Sequence, residues 1–259
     1  EWSYYVEVPQ FGLIPYSEDS FSLATAYGLF HWGISAWSIY GIPTIALSIA
    51  FYKYKLSSLR LSSSLTGLGL KNIETSYFGR SIDLIFILAT VGAAGGTIGS
   101  YIPMLSSAFS KLTNINNGLG LDLSIIFLCV TLFGFSVYKG LDKGIKTLSN
   151  VNLSLALIFL LLILLSADFM DIFNSSLSSI KFSFIYFWDM STLGVNGKSD
   201  FAKEWTIFYW AWWVAFGPLV GLFIARISKG RTIKDVILGM LFFGTLGTWL
   251  FYLILGGYS

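Results

Sequence analysis

The sequence predicts an all-α integral membrane protein, a helical bundle of six spans, and three observations predict it. First, 55% of the 259 residues are hydrophobic and only 12% are charged, with a mean hydropathy of +0.71. Soluble domains carry about 25% charged residues. Second, the charges are clustered, and six apolar runs lie between them, near 28–52, 84–108, 118–138, 148–167, 205–225 and 236–256. Crossing a bilayer takes about 20 such residues. Five runs contain no Lys, Arg, Asp or Glu, and the third has Asp122 close to one end. Third, six spans put the loops 53–83, 139–147 and 226–235 on one side. Those loops hold Lys53, Lys55, Arg60, Lys71, Arg80, Lys139, Lys143, Lys146, Arg226, Lys229, Arg231 and Lys234, twelve of the sixteen basic residues. Lys111, Lys181, Lys198 and Lys203 fall on the other side. The positive-inside rule makes the richer side cytoplasmic, so both ends of the chain are expected to face outward from a cell (inner) membrane. The basic loops are short and tied to span ends, which argues against a nucleic-acid partner; the partner expected is the lipid bilayer.

Taken in order, residues 1–27 read as an outer segment, with Pro9, Gly12, Pro15, Glu18 and Asp19. The chain begins with Glu1 and is expected to be an internal segment of a longer protein. The 53–80 connector is Ser-rich. The second span is rich in small residues, Gly92 to Ser100, which either let helices approach closely or mark an irregular helix whose free carbonyls face a cavity. Pro43, Pro103 and Pro218 each lie inside a span and remove one backbone donor there. Cys129 is the single cysteine; one thiol builds neither a disulfide framework nor a metal cluster. Residues 168–204 form a long outer connection whose aromatic stretch, Ile180–Trp188, suits a short helix or hairpin along the interface. The whole chain reads as one transmembrane segment.

The fifth span reads W-T-I-F-Y-W-A-W-W-V-A-F-G-P-L-V-G from Trp205 to Gly221. At 100° per residue, Trp205, Tyr209, Trp212 and Phe216 fall within about 60° of one another, with Trp213 beside them. An interfacial aromatic belt accounts for Trp205, Phe208 and Tyr209. It does not account for Trp212, Trp213 and Phe216, which lie about 10–16 Å deeper. The first span offers a matching group, Trp32, Trp37 and Tyr40. Deep tryptophans with no carboxylate among them suit a cation without a counter-charge. A quaternary ammonium donates no hydrogen bond and is held by aromatic faces at about 0.5–2 kcal/mol each. A buried carboxylate would cost several kcal/mol to desolvate. His31, the only histidine, lies near the outer end of its span, where a hydrogen-bonded structural role is expected before a proton relay. Asp83 and Arg226 sit at helix ends, where capping or an interface role suffices.

The chain contains no metalloprotease, nucleophile-elbow, phosphate-loop or dinucleotide signature, so no enzyme is expected and no cofactor. A channel would need a ring of carbonyls or charges along a pore.

These residues resemble the betaine/choline/carnitine transporter family. Its most specific stretch is a double-tryptophan helix followed by A-R-I-S-K-G-R-T-I-K, here running from Trp205 to Asp235. Supporting stretches are H-W-G-I-S-A-W-S-I-Y-G (31–41), F-Y-K-Y-K (51–55), G-R-S-I-D (79–83) and K-G-I-K-T-L-S-N-V-N (143–152). The resemblance implies a five-plus-five inverted-repeat transporter fold, of which this chain matches spans four to nine. It implies an onium substrate and a homo-trimer, and it matches Trp32, Trp37 and Tyr40 to one aromatic group and Trp212 and Trp213 to the paired box tryptophans. Phe216 stands where the family has a third tryptophan, which implies a roomier box, and Phe208 matches an aromatic of the outer access path. Sodium is the coupling ion implied. Thr90 matches the first of a threonine pair, but the second position is Ala94 and the partner aromatic is Leu219.

Overall fold

The computed structural model describes residues 2–55, 60–70, 72–192 and 200–258, and every regular element among them is helical. In chain order these are α1 (Trp2–Glu7), α2 (Glu18–Trp32), α3 (Ile34–Ser48), α4 (Tyr77–Thr113), α5 (Leu119–Tyr138), α6 (Lys146–Ser166), α7 (Phe169–Ile185), α8 (Phe187–Ser191), α9 (Ile207–Ile227), α10 (Ile233–Gly239) and α11 (Thr245–Tyr258). Single π-helical turns extend α3 (Ile49–Lys53), open α9 (Ala202–Thr206) and join α10 to α11 (Met240–Gly244). Six stretches are long and apolar enough to cross a membrane: Glu18–Lys53, Tyr77–Thr113, Leu119–Tyr138, Lys143–Ser166, Ala202–Ile227 and Ile233–Tyr258. The chain is a multi-pass, all-α membrane protein. Lys71, Lys198 and part of the 168–204 connection lie outside the described residues.

Two features differ from the pattern of apolar runs. The first helix starts at Glu18, well before residue 28, because Ser17 Oγ accepts from Ser20 N at 3.2 Å and Glu18 and Asp19 oppose the positive helix end. It is also interrupted at Gly33, between α2 and α3. In the 168–204 connection, α7 is a full helix of 17 residues rather than a short one. Its cap is Asp168, whose carboxylate accepts from Met170 N at 2.8 Å. It packs against α2 and α11, which come so close that a Cβ on Gly257 would stand 3.0 Å from Ile172 Cα.

The chain forms two compact units, Glu1–Thr90 with Ile163–Ser259, and Val91–Leu162. In the second unit Ser106 Oγ donates to the Asp122 carboxylate, so the one acidic group of that span is satisfied by a neighbouring helix. Among the described residues, nothing stands within 4 Å of where a Cβ on Gly92, Gly95, Gly96 or Gly99 would lie.

The first unit is centred on the seam between α3 and α9. Along α9, Trp213, Gly217, Gly221 and Ala225 recur at every fourth position and are its buried stripe. A Cβ on Gly221 would stand 2.9 Å from Thr44 N and 3.0 Å from Pro43 C, so the two backbones nearly touch, as small residues allow inside a membrane. The close approach is therefore carried by the fifth span. The Ser-rich connector also folds back on itself. Ser62 donates from its N–H and its hydroxyl to Asp83, both at 2.9 Å, and Ser63 Oγ donates to Glu74 at 2.6 Å.

Candidate substrate-binding site

Seven aromatic residues and one threonine were expected to contribute. The seam between α3 and α9 brings five of the rings into one continuous cluster. Trp213, 7% exposed, is its hub: its ring centroid lies 4.9 Å from Trp32, 5.3 Å from Tyr40 and 5.0 Å from Trp212. The planes of Trp213 and Trp32 meet at 89° and those of Trp213 and Tyr40 at 88°. Trp212 continues the set to Trp32 at 5.6 Å and to Phe216 at 5.6 Å, again steeply inclined at 71° and 87°. Edge-to-face pairs of this kind are favoured by the ring quadrupole. They give walls that meet as corners.

Trp37 joins the set through Tyr40, at 5.9 Å and 80°. Its other side rests on Gly244 in the π-helical turn, where a Cβ would run into the indole. Phe208 stays apart: it is 56% exposed and its ring contact is with Tyr209, at 5.7 Å. Thr90, on α4, has a buried hydroxyl with no hydrogen-bond partner among the described residues. The second threonine position is Ala94, and Leu219 on α9 is 43% exposed and supplies neither oxygen nor ring. Thr97, one turn further on, donates its hydroxyl to Ala93 O at 2.8 Å.

Two residues that an interfacial belt would account for also pack against other rings of the bundle. Tyr209 is 5% exposed and stacks on His31 at 4.7 Å and meets Trp32 at 5.8 Å. Trp205 packs edge-on against Tyr5 at 5.1 Å, and its indole N–H is buried with no partner among the described residues. The signal for both was their place on the Trp212 stripe. Tyr252, from the last helix, reaches Trp32 at 6.2 Å across the gap left by Gly28; nothing in the sequence singled it out.

His31 is fully buried. Its Nε2 pairs with Thr206 Oγ1 at 3.0 Å and its Nδ1 lies 3.5 Å from the Tyr5 hydroxyl. Both ring nitrogens are thus engaged, as a structural histidine requires. Trp213 Nε1 donates to His31 O at 2.9 Å, while Trp32 Nε1 is buried without a partner among the described residues. Residues 20–52 and 205–225 contain no Asp or Glu. The cluster is thus an aromatic surface with one buried N–H donor that has no partner among the described residues, and no carboxylate lies in the segments 20–52 and 205–225 that carry its rings. Such a surface attracts a soft cation.

The model of the betaine/carnitine/choline family transporters matches residues 1–259. The chain is 35% identical over 261 residues to a carnitine transporter of Acinetobacter baumannii, covering 100% of this chain and 47% of that protein. It is 31% identical over 261 residues to a protein described as an uncharacterized transporter, YeaV, of Escherichia coli, covering 100% of this chain and 54% of that one. The chain thus spans about half the length of these relatives. Family model, relatives and six apolar helices agree, and the chain belongs to the betaine/carnitine/choline family, which are transporters and not enzymes.

Proposed function

We propose that this chain is the central part of a secondary transporter for betaine-like quaternary ammonium solutes, whose cationic head sits among Trp32, Tyr40, Trp212, Trp213 and Phe216, with Trp37 behind. The observation that carries the reading is the continuous cluster of steeply inclined rings, on stretches of helix (20–52 and 205–225) that contain no carboxylate. The A. baumannii relative is named for carnitine, itself a quaternary ammonium carboxylate. The buried, unpartnered Trp32 N–H favours a solute that also carries an acceptor group, because a buried donor left unpaired costs about 1–3 kcal/mol. Betaine and carnitine meet that condition better than choline. The membrane is the cell membrane, and both ends of the chain face outward in this reading. Phe208 belongs to the access path and contacts the substrate in passing; the assembly is a trimer, as in the family.

Coupling is proposed to run without the sodium site of the threonine pair. Sodium needs several oxygen ligands, and Thr90 offers one where Ala94 and Leu219 offer none. The test is an initial-rate uptake panel with full-length protein: glycine betaine, choline, carnitine and a sulfonium analogue, at fixed membrane potential and varied sodium. Saturable uptake of the carboxylated onium solutes, with a sodium Hill coefficient near one or below, is expected. Uptake of none refutes the substrate class; a coefficient near two refutes the coupling reading.

A further inference from the structure

The interruption at Gly33 leaves the end of α2 inside the bundle. The last four carbonyls of a helix have no partner within it, and for α2 these belong to Leu29, Phe30, His31 and Trp32. Three of them are met by side chains of two other helices. Trp249 Nε1 of α11 donates to Leu29 O at 3.0 Å, Trp213 Nε1 of α9 to His31 O at 2.9 Å, and Thr248 Oγ1 of α11 to Trp32 O at 2.8 Å. The Thr248 hydroxyl also lies 3.0 Å from Thr245 O in its own helix and 3.2 Å from Gly244 O in the π-helical turn before it, but its nearest acceptor is Trp32 O at 2.8 Å. Glycine is needed at 33 for this arrangement, because a Cβ there would fill the space in which Trp249 Nε1 meets Leu29 O.

We propose that Thr248 and Trp249 are positioning residues for the aromatic cluster. They clamp the broken end of α2 from α11, and so fix the backbone that carries the Trp32 ring. Trp213 does the same from α9 and is also a wall of the cluster. Trp249 works at a distance from the rings: it lines a separate small cavity of about 60 Å³ with Leu29, Ile34, Ser183 and Phe187. The bonds stand on geometry alone; their consequence for transport rests on the substrate reading above.

The test uses full-length protein with Thr248→Val, which keeps the shape and removes the donor, Thr248→Ser, which restores it, and Trp249→Phe, which keeps a ring without the N–H. Two readouts are taken: amide hydrogen exchange across residues 29–37 in detergent, and half-saturation and maximal rate of glycine betaine and carnitine uptake, corrected for protein in the membrane. Thr248→Val is expected to speed exchange in that segment by about tenfold. It should raise half-saturation about threefold with the maximal rate unchanged, the signature of lost ground-state binding. Thr248→Ser should restore both, and Trp249→Phe should act in the same direction as the valine. Unchanged exchange in both the valine and phenylalanine variants overturns the clamp. Faster exchange with unchanged half-saturation overturns the positioning role and leaves the two residues as fold supports. Wild-type protein that takes up neither solute overturns the functional reading instead, and that result needs no variant; the exchange arm still decides the clamp.

Discussion

Replacing Trp212 by leucine keeps apolar bulk and deletes the π face, so it separates a binding wall from a packing residue. The indole touches Trp213 at 5.0 Å, Trp32 and Phe216 each at 5.6 Å, and Tyr209 at 6.3 Å. Aromatic pairs contribute about 0.5–1.5 kcal/mol each beyond area burial, and they share atoms here, so the four do not add. A stability loss of about 2 kcal/mol is expected for a side chain that is only half-buried. The effect on binding is separate. One desolvated cation–π face contributes up to about 2 kcal/mol, and 1.4 kcal/mol is a factor of ten. Half-saturation for glycine betaine or carnitine should therefore rise at least tenfold. Trp212→Phe, which retains a face of smaller area, should stay within about threefold. The assay is initial-rate uptake by full-length protein, with the amount in the membrane measured for every variant and the melting temperature followed in detergent. A leucine variant with a lowered melting temperature and unchanged half-saturation would refute the reasoning: the ring would then be packing and not a wall.

Two further predictions test the box and the seam that carries it. Phe216→Trp should tighten glycine betaine relative to bulkier onium solutes, because the added ring narrows the corner that Phe216 makes with Trp212 at 87°; an unchanged ranking of substrates in a competition assay would make Phe216 packing alone. Gly221→Ala should lower stability by about 1–3 kcal/mol, since its Cβ would press on the backbone of Thr44 and Pro43 at 2.9 and 3.0 Å. Gly217→Ala, whose Cβ meets Pro43 Cγ at 3.6 Å and Tyr40 at 3.9 Å, should be tolerated, and thermal unfolding of the two variants in detergent decides between them.

The spans were legible because a bilayer demands long charge-free runs, and that demand is written residue by residue. The helix ends were less legible. Charge-based limits start α2 too late, since Glu18 and Asp19 look like loop residues until Ser17 is recognised as their cap. The same bias hides α7, whose Asp171 and Lys181 break the apolar pattern of an amphipathic helix that packs on two neighbours. The paired tryptophans were legible as deep rings of one cluster, but not the difference between them. Trp213 is buried and bonded to His31 O, while Trp212 is half-buried, and that difference comes from which face α3 covers. Tyr209 and Trp205 were placed at the interface by depth alone, and depth says nothing about what stands across from a ring. The clamp on α2 was not legible at all, because Thr248 and Trp249 bind carbonyls, which every residue has. Among the expected aromatic residues, Phe208 stays outside the cluster, 56% exposed, because its position on α9 turns it outward.

The break at Gly33 has a consequence for rotational phase. An uninterrupted α-helix advances 100° per residue, so Trp32 and Trp37, five positions apart, would point about 140° away from each other. A straight first span would show one indole to the α9 side and turn the other toward the back of the bundle. The interruption resets the count between them. Both indoles pack into the same group of rings around Tyr40 and Trp213, so one membrane crossing supplies to one cluster two indoles that a regular helix would have set on different sides.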